Sequence, residues 1–332
     1  MSGGFSTRSA FTLVEVLAAI VVLVILMVIT FGILGTATRV ADSAARGGDN
    51  SIEALQVLDR IGADIAGMLI RPDIDEYFVK APGNDEMFFY SQTAGYFNGT
   101  TTAATATLQS PISLVGYRIS SSVNASIPPV LQRVVQGLNW SGSNALPFLI
   151  FAPTAPYSAN MVTLANPANT IPVVWKSVVT DVDNAPSFWH TIGGQIFRFE
   201  ICYQLRDGSF TLIAPTPATP VTPAPGTTAP IPAVPGNLND TVGIVIAIAV
   251  LDNKSRAMVP LGSWAGLVAA FPDPTLSQLT SPAQLMDSTW NAVLNQPGFP
   301  QSAGIPVAAA SQIRVYQRYY PLNVPKFQFE GQ

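Results

Sequence analysis

The feature that most constrains this chain is an apolar run near its N-terminus that contains a single acid. Residues 7–29 read TRSAFTLVEVLAAIVVLVILMVI, and Glu15 is the only charged residue between Arg8 and Arg39. As a helix, residues 11–35 would extend about 37 Å, longer than a bilayer core of about 30 Å. A carboxylate in hydrocarbon is costly unless a partner neutralises it. The run therefore predicts a membrane-spanning helix in which Glu15 requires a cationic partner.

The boundary between the polar and apolar residues suggests what that partner is. A secretory signal has its small-residue cleavage site after the apolar core, whereas here the small residue Ala10 precedes it. Cleavage between Ala10 and Phe11 would leave an ammonium group on Phe11, about 6 Å along the helix axis from Glu15. The two charges could pair within one chain or between neighbouring subunits staggered by one turn. Arg8 before the run predicts a cytoplasmic N-terminus.

The stretch AFTLVEVLAAIVVLVILM resembles the prepilin-type cleavage and methylation motif of type IV pilins and type II secretion pseudopilins. The resemblance covers residues 8–35. It implies cleavage by prepilin peptidase between Ala10 and Phe11, N-methylation of Phe11 and a role for Glu15 in subunit docking. The family usually has glycine before the cut, where this chain has Ala10. The alternative interpretation is a plain signal anchor that happens to contain a glutamate.

The helical pattern continues beyond the apolar run. Glu53, Asp59, Arg60 and Asp64 fall mostly off the apolar stripe that residues 52–68 carry at helical spacing. The members of the stripe are Ile52, Leu55, Leu58, Ile61, Ile65 and Met68. The glycine pair at 47–48, followed by a capping pattern at Asn50 and Glu53, predicts a kink or restart near 47–50. The helix should end before Pro72.

From residue 77 onward the chain reads as strands, because short runs rich in β-branched and aromatic residues are separated by turns. Within one run, Phe197, Phe199, Ile201 and Tyr203 are predicted to share one face, with Arg198, Glu200 and Gln204 mostly on the other. The sequence RDGS at 206–209 predicts a turn. The predicted strands are 86–93, 112–121, 147–154, 171–179, 195–205, 241–252 and 312–322.

These elements predict an α+β fold in which one long N-terminal helix packs on antiparallel β-sheet, the plan that prepilin-like proteins share. The order of elements also resembles the J-type minor pseudopilins of type II secretion. The closing IRVYQRYYPLN and the length resemble the Verrucomicrobia cassette protein C family. The predicted division is a leader at 1–10, a transmembrane helix at 11–36, the soluble half of the same helix at 37–71 and a β-rich periplasmic domain at 72–332.

Residues 214–238 carry eight prolines and no charge. Such a segment forms neither a helix nor a sheet ladder, so an extended surface insertion within one domain is predicted. The strands on either side of it could still pair as a hairpin with an oversized connection.

Few residues point to catalysis or ligand binding. Only 11% of residues are charged, the net charge is −4, and no Lys/Arg cluster predicts direct nucleic-acid binding. No nucleophile elbow, phosphate loop or zinc motif occurs. His190 is the only histidine and is predicted to be buried or half-buried, and the lone Cys202 to be buried in a strand. We therefore expect no enzymatic activity and no cofactor. We also expect no metal, because the two acidic groups of the sequence lack the spacing of a calcium-binding loop. The groups are Asp73, Asp75 and Glu76, and Asp181 and Asp183.

The sequence thus predicts a structural minor subunit of a type II secretion or type IV pilus-like filament, assembled through its N-terminal helix. A large domain with a long insertion favours a minor or tip position. The implied partners are other pilins or pseudopilins, prepilin peptidase, the inner-membrane assembly platform and membrane lipid. The implied location is the bacterial inner membrane, single-pass, with the bulk of the chain periplasmic. The alternative is an exported enzyme or carbohydrate-binding module on a prepilin-type anchor. Its candidates for stacking on sugars are Trp140, Trp175, Trp189 and Trp264. Packing in the core would also account for these residues.

Overall fold

The computed structural model divides the chain into two compact units, Met1–Asp49 and Asn50–Gln332. It describes residues 13–70, 76–80, 83–96, 109–120, 128–138, 188–212, 241–275 and 289–322. The strands predicted at 147–154 and 171–179 and the proline-rich insertion at 214–238 lie outside the described residues. The predicted borders between leader, transmembrane helix, soluble helix and periplasmic domain stay predictions.

The longest element is helix α1, Leu13–Ala66, which has 54 residues. It is helical throughout 47–50, so the restart predicted at Asn50 does not occur. Two glycines cost a helix only about 1 kcal/mol each, which the flanking turns can offset. Among the described residues, no helix combines the length and apolarity that a membrane crossing needs. The assignment of 11–36 as a transmembrane segment stays a prediction.

The buried face of α1 matches the predicted stripe at Leu58, Ile61 and Ile65 and differs from it elsewhere. Ile52 and Leu55 are 56% and 47% exposed, while Asp64 is 1% exposed. The buried positions are Ala54, Val57, Leu58, Ile61, Asp64 and Ile65. Positions 54, 57, 61 and 64 follow steps of three, four and three, which is the spacing of one helix face. The assignment of Asp64 to the outside of the stripe was therefore wrong, because it was based on polarity and not on spacing.

The first sheet has five antiparallel strands in the order β1-β2-β5-β6-β7. Two of its strands, β2 and β5, match the runs predicted at 86–93 and 112–121. A separate ribbon pairs β3 with β4. The bounds are β1 Tyr77–Val79, β2 Glu86–Ser91, β3 Gly95–Tyr96, β4 Gln109–Ser110, β5 Ser113–Ile119, β6 Leu131–Gly137 and β7 Trp189–Gly193.

The second sheet has four antiparallel strands in the order β11-β10-β8-β9. Strand β10 pairs antiparallel with β8, so the predicted pairing of the strands on either side of the proline-rich insertion is confirmed. Strand β10 is buried on both faces, which explains why its sequence, TVGIVIAIAV, is apolar almost without alternation. The turn at 206–209 is also confirmed, with Gly208 at φ +88°. The bounds are β8 Ile196–Leu205, β9 Phe210–Thr211, β10 Thr241–Val250 and β11 Arg314–Pro321.

The second sheet separates two apolar cores. One core lies between this sheet, the first sheet and α1; the other lies under short helices. A register shift between β8 and β10 at Ala249/Val250 puts Ile196 in the first core and Phe197 in the second. Phe197 therefore does not share a face with Phe199, Ile201 and Tyr203, as was predicted. Its neighbour Arg198 is fully buried, as is Glu200.

The short helices between β10 and β11 were not predicted. The first is capped by Asp252, whose carboxylate accepts hydrogen bonds from the backbone N–H groups of Lys254 and Ser255, both at 3.1 Å. Helices of four to six residues show no hydrophobic period, so packing on the second core stabilises them. They are α2 Asn253–Arg256, a 3₁₀ turn Leu261–Ser263, α3 Trp264–Ala269, α4 Trp290–Leu294, α5 Phe299–Ser302 and α6 Val307–Ala310.

Gly137, the last residue of β6, tests the close packing beside the first sheet. A Cβ at Gly137 would lie 2.4 Å from the carbonyl oxygen and 2.9 Å from the carbonyl carbon of Gly95, which are backbone atoms. We expect Gly137→Ala to lower the free energy of unfolding by about 1–3 kcal/mol, measured by urea denaturation. Gly262→Ala is the matched control, since nothing lies within 4 Å of its Cβ position. Equal stability of the two variants would contradict the packing described here.

Candidate assembly surface and helix anchor

The residues predicted from the motif lie at the edge of what the structure describes. Ala10 and Phe11 precede the first described residue, Leu13. Glu15 belongs to α1, and its side chain is outside the described set. The cleavage site, the N-methylation of Phe11 and the docking role of Glu15 therefore stay predictions.

The N-terminal part of α1 presents a wide apolar surface, here termed the N-terminal apolar surface. Its described large side chains range from Val21, 49% exposed, to Leu13, 82% exposed. Between Val16 and Thr38 the sequence has no charged residue. Soluble proteins rarely expose continuous apolar patches of more than a few hundred Å², and larger ones mark protein or membrane contacts. A helix that is apolar on all sides is normally buried in protein or lipid.

The C-terminal part of α1 is anchored to the first sheet by Asp64. The Nε of Arg133 on β6 donates to Asp64 Oδ2 at 2.6 Å, and its Nη2 donates to Oδ1 at 2.8 Å. The hydroxyl of Tyr117 on β5 also donates to Oδ2, and Thr93 Oγ1 donates to Oδ1 at 3.2 Å. This bidentate pairing with arginine is the strong, directional form of a carboxylate contact.

The protonation states of this anchor are set by burial and by charge. Burial raises the pKa of Tyr117 well above its usual range, and the Asp64 carboxylate raises it further. For Arg133, burial lowers the pKa, but hydrogen bonding to Asp64 and the neighbouring Tyr117 raise it overall. Both groups therefore keep their protons and remain donors to Asp64 around neutral pH.

Strand β11 provides a second anchor for the same helix part. Alternate side chains of a strand point to one face, and three alternate residues of β11 contact α1. Tyr320 donates its hydroxyl proton to the carbonyl oxygen of Leu58 at 2.6 Å. The other contacts pair Arg318 with Asp59, and Tyr316 with Ser51 at 2.8 Å. Outside β11, Glu53 Oε1 accepts the N–H of Gln195 at 2.8 Å.

The sequence did not identify Asp64, Tyr117 or Arg133 as a group. The available signal was the helical spacing, since Asp64 lies three residues after Ile61 and four before Met68, both buried. An acid at a buried helical position requires a donor. Which arginine supplies it depends on the sheet register, which no local pattern encodes.

Among the described residues no catalytic constellation appears. His190 is exposed on β7, so its predicted burial was wrong; the alternation of the edge strand turns it outward. Cys202 is buried as predicted, and burial raises the pKa of its thiol. No group of three potential metal ligands occurs among the described residues. Trp189 and Trp264 are 6% and 5% exposed, so neither forms an open sugar-stacking surface. Trp140 and Trp175 lie outside the described residues.

No family model matches the chain, and no curated protein sequence matches it. Among solved structures, the chain is similar to a type IV-like pilin from Thermus thermophilus. The similarity has 12% sequence identity and a TM-score of 0.30, and it covers 86% of this chain and 96% of the pilin chain. A TM-score of 0.30 is too low to establish a common fold.

Proposed function

We propose that the protein is a pilin-like structural subunit that assembles into a filament through the N-terminal half of α1. The observation that carries the proposal is the N-terminal apolar surface, which covers all sides of the helix and has no partner among the described residues. Before assembly, lipid would bury this surface, and after assembly the helices of other subunits would bury it. Both environments would remove the same apolar area from water.

The proposed mechanism combines apolar packing with one charge pair. Prepilin peptidase cuts between Ala10 and Phe11, Phe11 is N-methylated, and its ammonium group pairs with Glu15 of an adjacent subunit. The anchors at Asp64 and β11 fix residues 51–66 of the helix on the sheets of the unit Asn50–Gln332, so this part of the helix stays folded with the sheets. The size of that unit and the insertion at 214–238 favour a minor or tip subunit. The proposed location is the bacterial inner membrane, with the globular unit in the periplasm.

A substitution at Glu15 tests the proposal. We expect Glu15→Leu to reduce incorporation into the sheared filament fraction at least ten-fold, while the amount in the inner-membrane fraction stays unchanged. Glu15→Asp should restore part of the incorporation, because it retains the charge. Both fractions are measured by immunoblotting against the full-length chain in a host that assembles the filament. Ile20→Leu, a volume-conserving change on the same helix, is the control.

Normal incorporation of Glu15→Leu would favour the plain-anchor interpretation and contradict the assembly role. Mass spectrometry of the mature chain provides an independent check. The proposal requires a new N-terminus at Phe11 that carries one methyl group. An intact leader on the filament-associated protein would also contradict it.

A further inference from the structure

Five ionisable side chains form a group at the seam between the two sheets, here termed the inter-sheet cluster. It consists of Lys80, Asp85, Arg198, Glu200 and Asp273. The Nζ of Lys80 donates to Asp85 Oδ2 at 3.1 Å and to Glu200 Oε1. Arg198 Nη2 lies 2.9 Å from Glu200 Oε2 and also pairs with Asp273. The side chains of Asp85, Arg198 and Glu200 have no exposed area.

The cluster lies where Asn84 and Asp85, which precede β2, cover an open edge of β8. Asn84 Oδ1 accepts the N–H of Phe199 at 2.8 Å, and the N–H of Asp85 donates to the carbonyl oxygen of Phe199 at 3.1 Å. Asp85 Oδ2 accepts the N–H of Ile201 at 2.8 Å. These bonds substitute for a neighbouring strand and join the first sheet to the second.

The charges of the cluster do not balance when every member is ionised. Asp85, Glu200 and Asp273 supply three negative charges against the two positive charges of Lys80 and Arg198. An uncompensated charge in a buried site is costly, and a buried acid avoids the cost by binding a proton. Asp273 keeps 33% of its side chain exposed, whereas the other two carboxylates have no exposed area.

We propose that Asp85 and Glu200 share one bound proton in the folded protein, and that loss of this proton at alkaline pH loosens the seam between the two sheets. The seam is thereby a proton-binding switch. The contact between the two sheets is strong when the cluster is neutral and is weakened when the cluster carries a net negative charge.

The local electrostatics support this assignment. Burial raises the pKa of Asp85, and Lys80 only partly offsets the effect. Burial and the neighbouring Asp85 raise the pKa of Glu200 to about 8. Burial lowers the pKa of Lys80, but the carboxylates of Asp85, Glu200 and Asp273 raise it overall, so the ammonium stays charged.

Two other titratable groups on β8, Cys202 and Tyr203, stay neutral over the same pH range. Burial raises the pKa of the Cys202 thiol and of the Tyr203 hydroxyl on β8 well above their usual ranges. Glu76, whose carboxyl lies near Tyr203, is fully buried. Strand β10, which pairs with β8, has no titratable side chain.

The sign of the pH dependence follows from the raised pKa of Glu200. Between its ordinary value of 4.5 and the folded value of about 8, the folded state holds a proton that the unfolded chain has released. The stabilisation from this proton is complete below the ordinary pKa and is lost as the pH rises through about 8.

The test compares urea unfolding of the full-length chain, kept in mild detergent, at about pH 6 and about pH 9. We expect the wild-type midpoint to fall at the higher pH. Glu200→Gln leaves two carboxylates against two cations, so its midpoint should stay constant and exceed that of the wild type at the alkaline pH. Hydrogen exchange of the Ile201 amide, corrected for the intrinsic rate, should show that wild-type protection decreases over the same range.

Asp207→Asn is the matched control, because Asp207 is an exposed acid in the turn after β8 whose bonds from Ser209 lower its pKa. It should keep the wild-type decrease. Asp85→Asn is the second variant if Glu200→Gln does not fold, and it should also abolish the decrease. A wild-type midpoint that is independent of pH overturns the proposal. So does a decrease of equal size in the folded Gln or Asn variant.

Discussion

Replacement of Asp64 by alanine is expected to lower the free energy of unfolding by about 3–5 kcal/mol. The loss would be large because the substitution removes the acceptor but leaves its donors in place. The guanidinium of Arg133 keeps only 12% of its side chain exposed, so water can replace little of what the carboxylate provides. The Tyr117 hydroxyl would also lose its acceptor in a fully buried position. The measurement is equilibrium urea denaturation of the full-length chain.

The matched control is Asp59→Ala on the same helix. Asp59 pairs with Arg318, but the two side chains are 67% and 37% exposed. An exposed pair of this kind contributes about 0–1 kcal/mol, so the control should unfold close to the wild type. If the two variants lose similar amounts of stability, Asp64 is not the main polar anchor of α1. A double variant, Asp64→Ala with Arg133→Met, should recover part of the loss, because it removes the unpaired buried cation.

The contrast between Asp59 and Asp64 shows how far the sequence determines this helix. Spacing alone predicted a long helix with a buried face, and the structure confirms both. It placed Leu58, Ile61 and Ile65 correctly on the buried face. It also placed Ile52 and Leu55 inside because of their apolarity, and Asp64 outside because of its charge, and these three assignments were wrong. The true face passes through Val57, and its acid is tolerated only because a distant arginine reaches it. That partner lies 69 residues away.

The strands show the same division between local and distant information. The runs that became β2, β5, β8, β10 and β11 are long and rich in β-branched or aromatic residues, so a local pattern was sufficient. Strand β7 is half polar and was not predicted as a strand. Within it, only His190 was considered. The pairing of Lys80 with Glu200 joins residues 120 positions apart. No local pattern contains such a contact, since it follows from how the two sheets meet.

The short helices between β10 and β11 could not be predicted from the sequence, for a different reason. Three of them contribute large side chains to the second core, with Trp264 and Leu267 on α3, Trp290 on α4 and Phe299 on α5, and none is long enough to show a helical period. Their stability must come from that core, because isolated helices of this length do not form in water. Removal of the largest fully buried side chain among them therefore tests whether the helical layer depends on the sheet beneath it.

That side chain is Trp290 on α4, which is completely buried. Its ring packs edge-on to Phe271 with a centroid distance of 5.5 Å, and its Nε1 donates to the carbonyl oxygen of Pro272 at 2.9 Å. The guanidinium carbon of Arg198 lies 5.1 Å from the ring centroid. We expect Trp290→Ala to cost about 3–5 kcal/mol, since it leaves a cavity and an unpaired carbonyl.

Urea denaturation and hydrogen exchange together would measure this effect. The amides of α3 and α4 should lose protection in Trp290→Ala, whereas those of β2 and β5 should keep it relative to global stability, because the first core is separated by the second sheet. Ala292→Ser, an exposed change on the same helix, should stay within about 0.5 kcal/mol of the wild type. A uniform loss of protection across both cores would instead mean that the helical layer and the sheets unfold as a single cooperative unit.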